Sequence, residues 1–313
     1  MQTPRFRSET TKGYVYALVG SVCAGSVSTI AKFSMNDNDP IVVTGLSILL
    51  SGFILLIYQP KRQPEPGSLR YLVFFGLLGA GLAPLMYYEG LNETTAVNAS
   101  LLANGEVLFT TVIAYVAFRE RLSRGMAARA LLIVAGLVVV STNLDLSNIA
   151  FLQGLTGNLL ILGSTVCWAV ENNFMAVVSR RFEASLLSKF RNLIGGGALT
   201  IVFIVAMIPL KFDAVYFAAL VLLSLAVAGG TYLFIAAVKR LGAIRMLLVW
   251  SSSTVFGAAF ALVFLGEQIT LAQILGGVLI IAGVYVFHRG EKVPEAEPFA
   301  PPVGDTDKQS LGS

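Results

Sequence analysis

Long apolar runs separated by short polar or charged segments account for most of this chain. A helix needs roughly 20 residues to cross about 30 Å of hydrocarbon. On that criterion the pattern predicts ten membrane-spanning helices, and the runs are too continuous for the alternating strands of a β-barrel. The predicted spans are Gly13–Phe33, Pro40–Tyr58, Leu69–Tyr88, Val97–Phe118, Gly125–Thr142, Gly154–Val178, Leu186–Ile208, Val215–Val238, Ala243–Leu265 and Leu271–Phe287. We therefore expect an all-α integral membrane protein.

One stretch of this pattern occurs twice. The sequence AVNASLLANGEVLFTTVIAYVAFRERLS covers Ala96–Ser123, and AIRMLLVWSSSTVFGAAFALVFLGEQIT covers Ala243–Thr270. Each copy is an apolar span closed by a cap that contains a glutamate, Glu120 in the first and Glu267 in the second. Internal duplication of this kind is typical of membrane transporters. We expect two related repeats of five spans each, residues 13–142 and 154–288.

The basic residues orient the predicted spans. If both termini lie in the cytoplasm, all of the 22 Lys and Arg residues except Lys32 and Lys211 fall on the cytoplasmic side, as the positive-inside rule requires. Five is an odd number, so the second repeat enters the membrane in the opposite orientation to the first. The prediction is two inverted five-helix repeats, an arrangement that lets a central cavity open alternately to each side.

Composition agrees with a membrane environment. Hydrophobic residues make up 56% of the chain and charged residues 13%, with a mean hydropathy of +0.76, whereas soluble domains carry roughly 25% charged residues. We expect residues 1–12 to form a cytoplasmic N-terminus and the Pro-rich, acidic residues 289–313 a disordered cytoplasmic tail. The net charge of +4 comes almost wholly from predicted cytoplasmic loops, which favours contact with the lipid bilayer over nucleic-acid binding.

Glu106 and Glu171 are the acidic residues predicted to lie well inside spans. A carboxylate at the bilayer centre costs about 2.5–3.5 kcal/mol and therefore normally faces a cavity, a partner or a proton path; the alternative is a structural carboxyl that locks helices together. Glu171 continues a polar and aromatic stripe at helical spacing. Its other members are Thr165, Trp168, Asn172 and Met175. We expect Trp168, Glu171 and Asn172 to face a substrate cavity.

The chain's two tryptophans, Trp168 and Trp250, lie too deep in their spans for the interfacial belts where tryptophan usually sits. Deep aromatic rings favour a cavity that stacks a flat or apolar group, with ordinary packing as the alternative. Ser253 shares a helical face with Trp250, although small residues at such spacing more often form close-packing surfaces.

Pro84 interrupts the third predicted span just before Tyr87. A mid-span proline frees a carbonyl and permits bending, so Pro84 is a candidate hinge and Tyr87 a candidate for the cavity; alternatively, Tyr87 belongs to the outer aromatic belt. Gly196, in the centre of a glycine triplet, is a second candidate hinge.

The spans predicted from hydropathy contain no deep basic residue, because Arg191 and Lys32 fall near span edges. A carrier of phosphorylated solutes needs such residues to balance the charge of the phosphate. A neutral or zwitterionic amino acid is therefore a better candidate for the substrate than a phosphorylated solute. The chain has no Walker A sequence, no zinc-ligand spacing and a single His. We therefore expect no enzyme activity, no cofactor and no metal.

Ten spans, five-plus-five inversion and a Glu-Arg-Leu or Glu-Gln-Ile element closing spans four and nine resemble the drug/metabolite transporter superfamily, EamA type, over residues 13–288. In that superfamily these spans commonly carry an acidic residue or a proline fourteen residues before the closing Glu. Glu106 and Ser253 occupy those places here. The residues after them, Val107 and Thr254, are not the frequent following proline, so the resemblance does not predict a proline-made break.

Within that superfamily the chain is most similar to YddG-type exporters of aromatic amino acids. The resemblance implies a secondary transporter in a bacterial inner (plasma) membrane. The leading hypothesis is export, by alternating access, of amino acids with aromatic or large apolar side chains. Three alternatives stay open: a proton-coupled exporter of lipophilic cationic drugs that uses Glu106 or Glu171, a channel-like facilitator, and a non-transporting scaffold.

Overall fold

The computed structural model describes residues 4–58, 69–118, 124–142, 144, 149–178 and 182–289. The regular secondary structure of these residues is entirely helical. The α-helices are α1 Pro4–Ser34, α2 Pro40–Ile54, α3 Leu69–Leu77, α4 Ala83–Glu93, α5 Ala96–Leu102, α6 Gly105–Phe118, α7 Arg124–Thr142, α8 Ile149–Val178, α9 Ala184–Val205, α10 Ala214–Leu241, α11 Ala243–Trp250, α12 Ser253–Phe260 and α13 Leu271–Arg289. Glu120 and the predicted tail beyond Arg289 lie outside the described residues.

Within the described part, 6 helical stretches are long and apolar enough to cross a membrane. They are Glu9–Ser34, Pro40–Ile57, Leu69–Glu93, Ala96–Val116, Ala184–Val205 and Ala214–Leu241. Shorter apolar stretches occur at Leu131–Thr142, Ser253–Leu265 and Leu271–Val284. Large apolar side chains on the outer faces of these helices are exposed, as at Val205 (75%) and Val263 (70%). Such a surface is suited to lipid, so the chain is a multi-pass membrane protein.

Two of the predicted spans are broken within their first halves. The helix stops between α5 and α6 at Ala103–Asn104, and between α11 and α12 at Ser251–Ser252. At each break a backbone N–H bonds the carbonyl three residues earlier, Asn104 to Leu101 at 3.2 Å and Ser252 to Val249 at 3.0 Å, a tighter turn than the α-helical one. Neither break contains proline.

The two breaks touch each other. The Asn104 side-chain amide donates to Thr254 Oγ1, and the Thr254 hydroxyl donates to the Ser100 carbonyl at 3.0 Å. Polar groups that the breaks release from helical bonding are thus satisfied between the two half-helices, as burial requires. The contact joins the first half of the chain to the second near the centre of the bundle.

A third irregularity is the π-helical turn Leu78–Leu82 between α3 and α4. In a π turn a carbonyl accepts from the N–H five residues later. The residue five after Gly79 is Pro84, which has no N–H. The Gly79 carbonyl is consequently free to accept from other helices.

Helix packing has a repeated plan. Helix α1 packs along α10 and against α12, while α8 packs along α4 and against α6; α2 packs on α9, and α7 on α13. Glycines allow several of these close approaches, since a Cβ at Gly276 would lie 2.9 Å from the Gly136 carbonyl oxygen. Gly196 has the same role between α9 and α2, where a Cβ would overlap the backbone of Leu49.

Candidate functional site

A cavity of about 200 Å³ lies between helices of both halves of the chain. All of the sequence-predicted binding residues line it, together with the predicted hinge Pro84. These residues are Tyr87, Glu106, Trp168, Glu171, Asn172, Trp250 and Ser253. The structure therefore brings together residues from α4, α6, α8, α11 and α12, and their contact with substrate stays a prediction.

Arg191 also lines this cavity and pairs with Glu171. Its Nε lies 2.5 Å from Glu171 Oε1 and its Nη2 lies 2.9 Å from Oε2, a bidentate ion pair. The two side chains are 13% and 3% exposed. The expectation of a cavity without a basic residue is wrong. Arg191 lies about two turns, or roughly 10 Å, inside α9, and its long side chain reaches further into the bundle than its place in the hydropathy pattern indicates.

Two further groups hold the Arg191 guanidinium in place. Its Nη2 donates to the Gly79 carbonyl at 2.7 Å, and its Nη1 donates to Asn192 Oδ1 at 3.2 Å. Trp168 Nε1 donates to the same Gly79 carbonyl at 3.1 Å. The carbonyl left without a helical donor by the π turn and Pro84 thus positions both a cation and an indole at the cavity wall.

Gly79 is also a steric requirement of the site. A Cβ at this position would overlap the carboxylate of Glu171. Sequence reasoning missed Gly79, and its one available signal was the proline five residues later, which removes the donor that a π turn would supply.

The acidic side of the cavity continues to Glu106. The Asn172 amide donates to Glu106 Oε1 at 2.5 Å, and Asn172 directly follows Glu171 in α8. Glu106 lies in the first turn of α6, just after the break. Among the described residues it forms no ion pair. Glu106, Asn172, Glu171 and Arg191 form one row of polar groups, which we call the polar strip.

Aromatic rings supply the rest of the wall. Tyr87 and Trp168 have ring centroids 5.6 Å apart with planes tilted by 48°, and Phe234 meets Trp250 edge to face at 4.8 Å. Both tryptophans predicted to lie deep in the protein are therefore at the cavity. The site combines flat apolar surfaces with groups of both charges, which suits a small zwitterion that has an apolar side chain.

The predicted hinges lie in different surroundings. Pro84 is the second residue of α4, the helix that follows the π turn, whereas Gly196 lies in α9, which runs without interruption. The hinge role of both residues stays a prediction.

A second polar cluster lies at one end of the bundle. Glu267 accepts from the backbone N–H groups of Ala96 and Val97 at 2.8 and 3.0 Å. The Lys32 ammonium donates to the carbonyls of Leu91 and Thr94. We call these contacts the Glu267 network; they join α1 and the α4–α5 corner to the segment before α13.

Among the described residues, no group of three or more His, Cys, Asp or Glu side chains could hold a metal ion.

The known proteins that resemble this chain match it over most of its length. The sequence profile of the EamA-like transporter family matches residues 11–142 and 155–289. An uncharacterised transporter of Methanothermobacter thermautotrophicus is 26% identical over 298 residues, covering 90% of this chain and 87% of the relative. A probable amino-acid metabolite efflux pump of Escherichia coli is 27% identical over 293 residues, covering 88% and 94%.

One solved crystal structure is 20% identical in sequence and has a TM-score of 0.63. It covers 90% of this chain and 98% of its own. This likeness establishes a shared fold.

Proposed function

Because the chain belongs to the EamA-like transporter family, we propose that it is a secondary transporter that exports amino acids with aromatic or large apolar side chains by alternating access. The observation that carries this proposal is the cavity itself, where the polar strip and two tryptophans face the same space. The similarity to a probable amino-acid metabolite efflux pump of Escherichia coli supports the same substrate class.

The cavity walls match the parts of such a substrate. An amino acid carries a carboxylate, an ammonium and a side chain, and the walls offer one guanidinium, two carboxylates and several aromatic rings. Its volume of about 200 Å³ lies below the roughly 300–1,000 Å³ of pockets for drug-sized ligands. A single small metabolite is therefore the favoured cargo.

The proposal includes ten crossings in two inverted repeats, residues 13–142 and 154–288, with both termini in the cytoplasm of a bacterial cell and the protein in its inner membrane. The packing plan supports it. In the two repeats α1 corresponds to α8, and α4 corresponds to α10. The packing of α1 on α10 therefore corresponds to the packing of α8 on α4. The two helix breaks also fall within one residue of each other when the two copies of the duplicated stretch are aligned. Transport then requires the halves to exchange conformations.

Glu106 gives some support to the alternative of a proton-coupled exporter of lipophilic cations, since it forms no ion pair among the described residues. Arg191 weighs against it, because the guanidinium already holds Glu171 in an ion pair and a cation brings no anionic group that could replace that carboxylate. Cells that express the protein would test this alternative: resistance to cationic dyes that is lost in Glu106→Gln favours it, and dye sensitivity equal to that of empty-vector cells contradicts it.

The decisive experiment is counterflow in proteoliposomes. Vesicles loaded with unlabelled phenylalanine should take up labelled phenylalanine or tryptophan transiently above its equilibrium level, and lysine or glutamate inside should not drive this uptake. A channel-like facilitator shows no such acceleration. Uptake no greater than in protein-free vesicles for every amino acid contradicts the proposed function.

A further inference from the structure

We propose that Arg191 is the receptor for the carboxylate of the substrate, and that Glu171 occupies this receptor until the substrate displaces it. This inference rests on the proposed function, and it assigns a residue and a required chemical group to the cavity. It predicts that a free carboxylate on the substrate is essential.

The geometry of the Arg191–Glu171 pair is the first support. The Glu171 carboxylate meets the guanidinium through Nε at 2.5 Å and Nη2 at 2.9 Å. This planar two-point contact is the one that a guanidinium makes with any carboxylate. Both residues line the cavity, so a carboxylate that enters the cavity meets the same two donors.

Arg191 is held in place without Glu171. The Gly79 carbonyl and Asn192 Oδ1 both accept from its guanidinium, and the Asn192 amide is in turn fixed by a 2.9 Å bond to Ser51 Oγ. These groups come from the π turn, α9 and α2, not from α8. The guanidinium therefore keeps its direction when Glu171 moves away, and such preorganisation lowers the cost of binding.

Charge balance favours an exchange of carboxylates. A buried cation with no partner is costly, but replacing one carboxylate by another keeps the guanidinium paired. The ammonium of the same zwitterion then faces Glu106, which is linked to Asn172, the neighbour of Glu171. A zwitterion adds no net charge to the cavity. An amine, an ester or an amide cannot supply the replacement carboxylate and leaves the Arg191–Glu171 pair intact.

Purified protein in detergent provides a binding test that does not depend on transport. Thermal stabilisation is measured with the 20 common amino acids, phenylalanine among them, and with phenylalanine amide and phenethylamine. We expect stabilisation by phenylalanine and none by the amide or the amine at the same concentration. Stabilisation by the amide or the amine equal to that by phenylalanine overturns the proposal.

Two variants give opposite expectations. Arg191→Gln should raise the phenylalanine concentration for half-maximal stabilisation by about thirtyfold or more. Glu171→Gln removes the internal competitor and should lower that concentration, because a receptor that is less often occupied binds more tightly. A purely structural ion pair predicts weakened binding in both variants. Unchanged phenylalanine binding in Arg191→Gln, or weakened binding in Glu171→Gln, overturns the proposal.

The double variant Arg191→Gln/Glu171→Gln separates binding from folding. It leaves no unpaired charge, so it should be more stable than Arg191→Gln yet should still lack carboxylate-dependent stabilisation. Recovery of phenylalanine binding in the double variant overturns the role of Arg191. Lys239→Gln is the matched control: this part-buried cation donates to the Phe182 carbonyl, away from the cavity, and its loss should leave phenylalanine binding unchanged.

Counterflow in the same proteoliposomes distinguishes this proposal from the proposed function. Carboxylate-dependent binding without counterflow contradicts transport and supports the receptor. Counterflow inhibited equally by phenylalanine and phenethylamine supports transport and overturns the receptor. Failure of every amino acid to bind overturns both.

Discussion

The Glu267 carboxylate bonds the backbone N–H of Ala96 at 2.8 Å, and its second oxygen bonds the N–H of Val97 at 3.0 Å. A residue from the second half of the chain thereby satisfies the first turn of α5 in the first half. The first N–H groups of a helix have no partner within it and carry partial positive charge, so an anion stabilises them. The glutamate of the duplicated cap element thus has a structural role across the two halves.

Glu267→Gln should destabilise the protein. The amide keeps one acceptor but loses the charge, so we expect a loss of about 1 kcal/mol in unfolding free energy, seen as a lower midpoint of thermal unfolding in detergent. Glu93→Gln, at the end of α4 and exposed, is the control and should not change the midpoint. Equal midpoints for Glu267→Gln and wild type would contradict a stabilising role for the cap.

Gly79→Ala should disturb the site more than a neighbouring change. The added Cβ overlaps the Glu171 carboxylate, so Glu171 must move or the π turn must shift, at a cost of about 1–3 kcal/mol. In Gly81→Ala, within the same turn, the added Cβ has its nearest contact at 3.5 Å, an ordinary van der Waals distance. We expect reduced thermal stability and counterflow in the first variant and near wild-type values in the second; the same result for both would refute the steric argument.

Trp168→Leu should weaken transport of aromatic substrates selectively. The change removes the ring next to Tyr87 and the donor to Gly79. An aromatic contact is worth about 0.5–1.5 kcal/mol, so the half-saturation concentration for phenylalanine should rise roughly two- to tenfold more than that for leucine. Phe264→Leu, 71% exposed and away from the cavity, serves as the control. A uniform change for both substrates would argue against stacking on Trp168.

Asn104→Ala should loosen the contact between the two helix breaks. The variant loses two buried hydrogen bonds, one to the Leu101 carbonyl and one to Thr254 Oγ1, and at about 0.5–1.5 kcal/mol each the unfolding free energy should fall by about 1–3 kcal/mol. Thermal unfolding in detergent measures it, with the exposed Asn92→Ala as control. Two variants of equal stability would show that the breaks do not depend on this contact.

Local patterns were reliable where local physics decides the outcome. Hydropathy over a helix length located the apolar helices, because each must satisfy its backbone within itself. Helical spacing on α8 placed Trp168, Glu171 and Asn172 on one face, and the structure has all three at the cavity. The cost of a buried carboxylate singled out Glu106 in the same way.

The interruptions were not predictable from those patterns. The breaks after α5 and α11 contain no proline, and they are supported by a contact between Asn104 and Thr254, which are far apart in sequence. Hydropathy averages over such polar residues. The π turn likewise depends on more than local sequence. Pro84 leaves the Gly79 carbonyl without a helical donor, and side chains from α8 and α9 donate to this carbonyl instead.

The sequence by itself determined an apolar helical chain that is built twice, with its acidic and aromatic candidates, because hydropathy and helical period are properties of neighbouring residues. Only the tertiary structure decided that Arg191 belongs to the cavity. Its partners Glu171 and Gly79 come from other helices, and the reach of a long side chain depends on where those helices pack. The charge of the cavity follows from that packing, and the substrate chemistry that we propose rests on it.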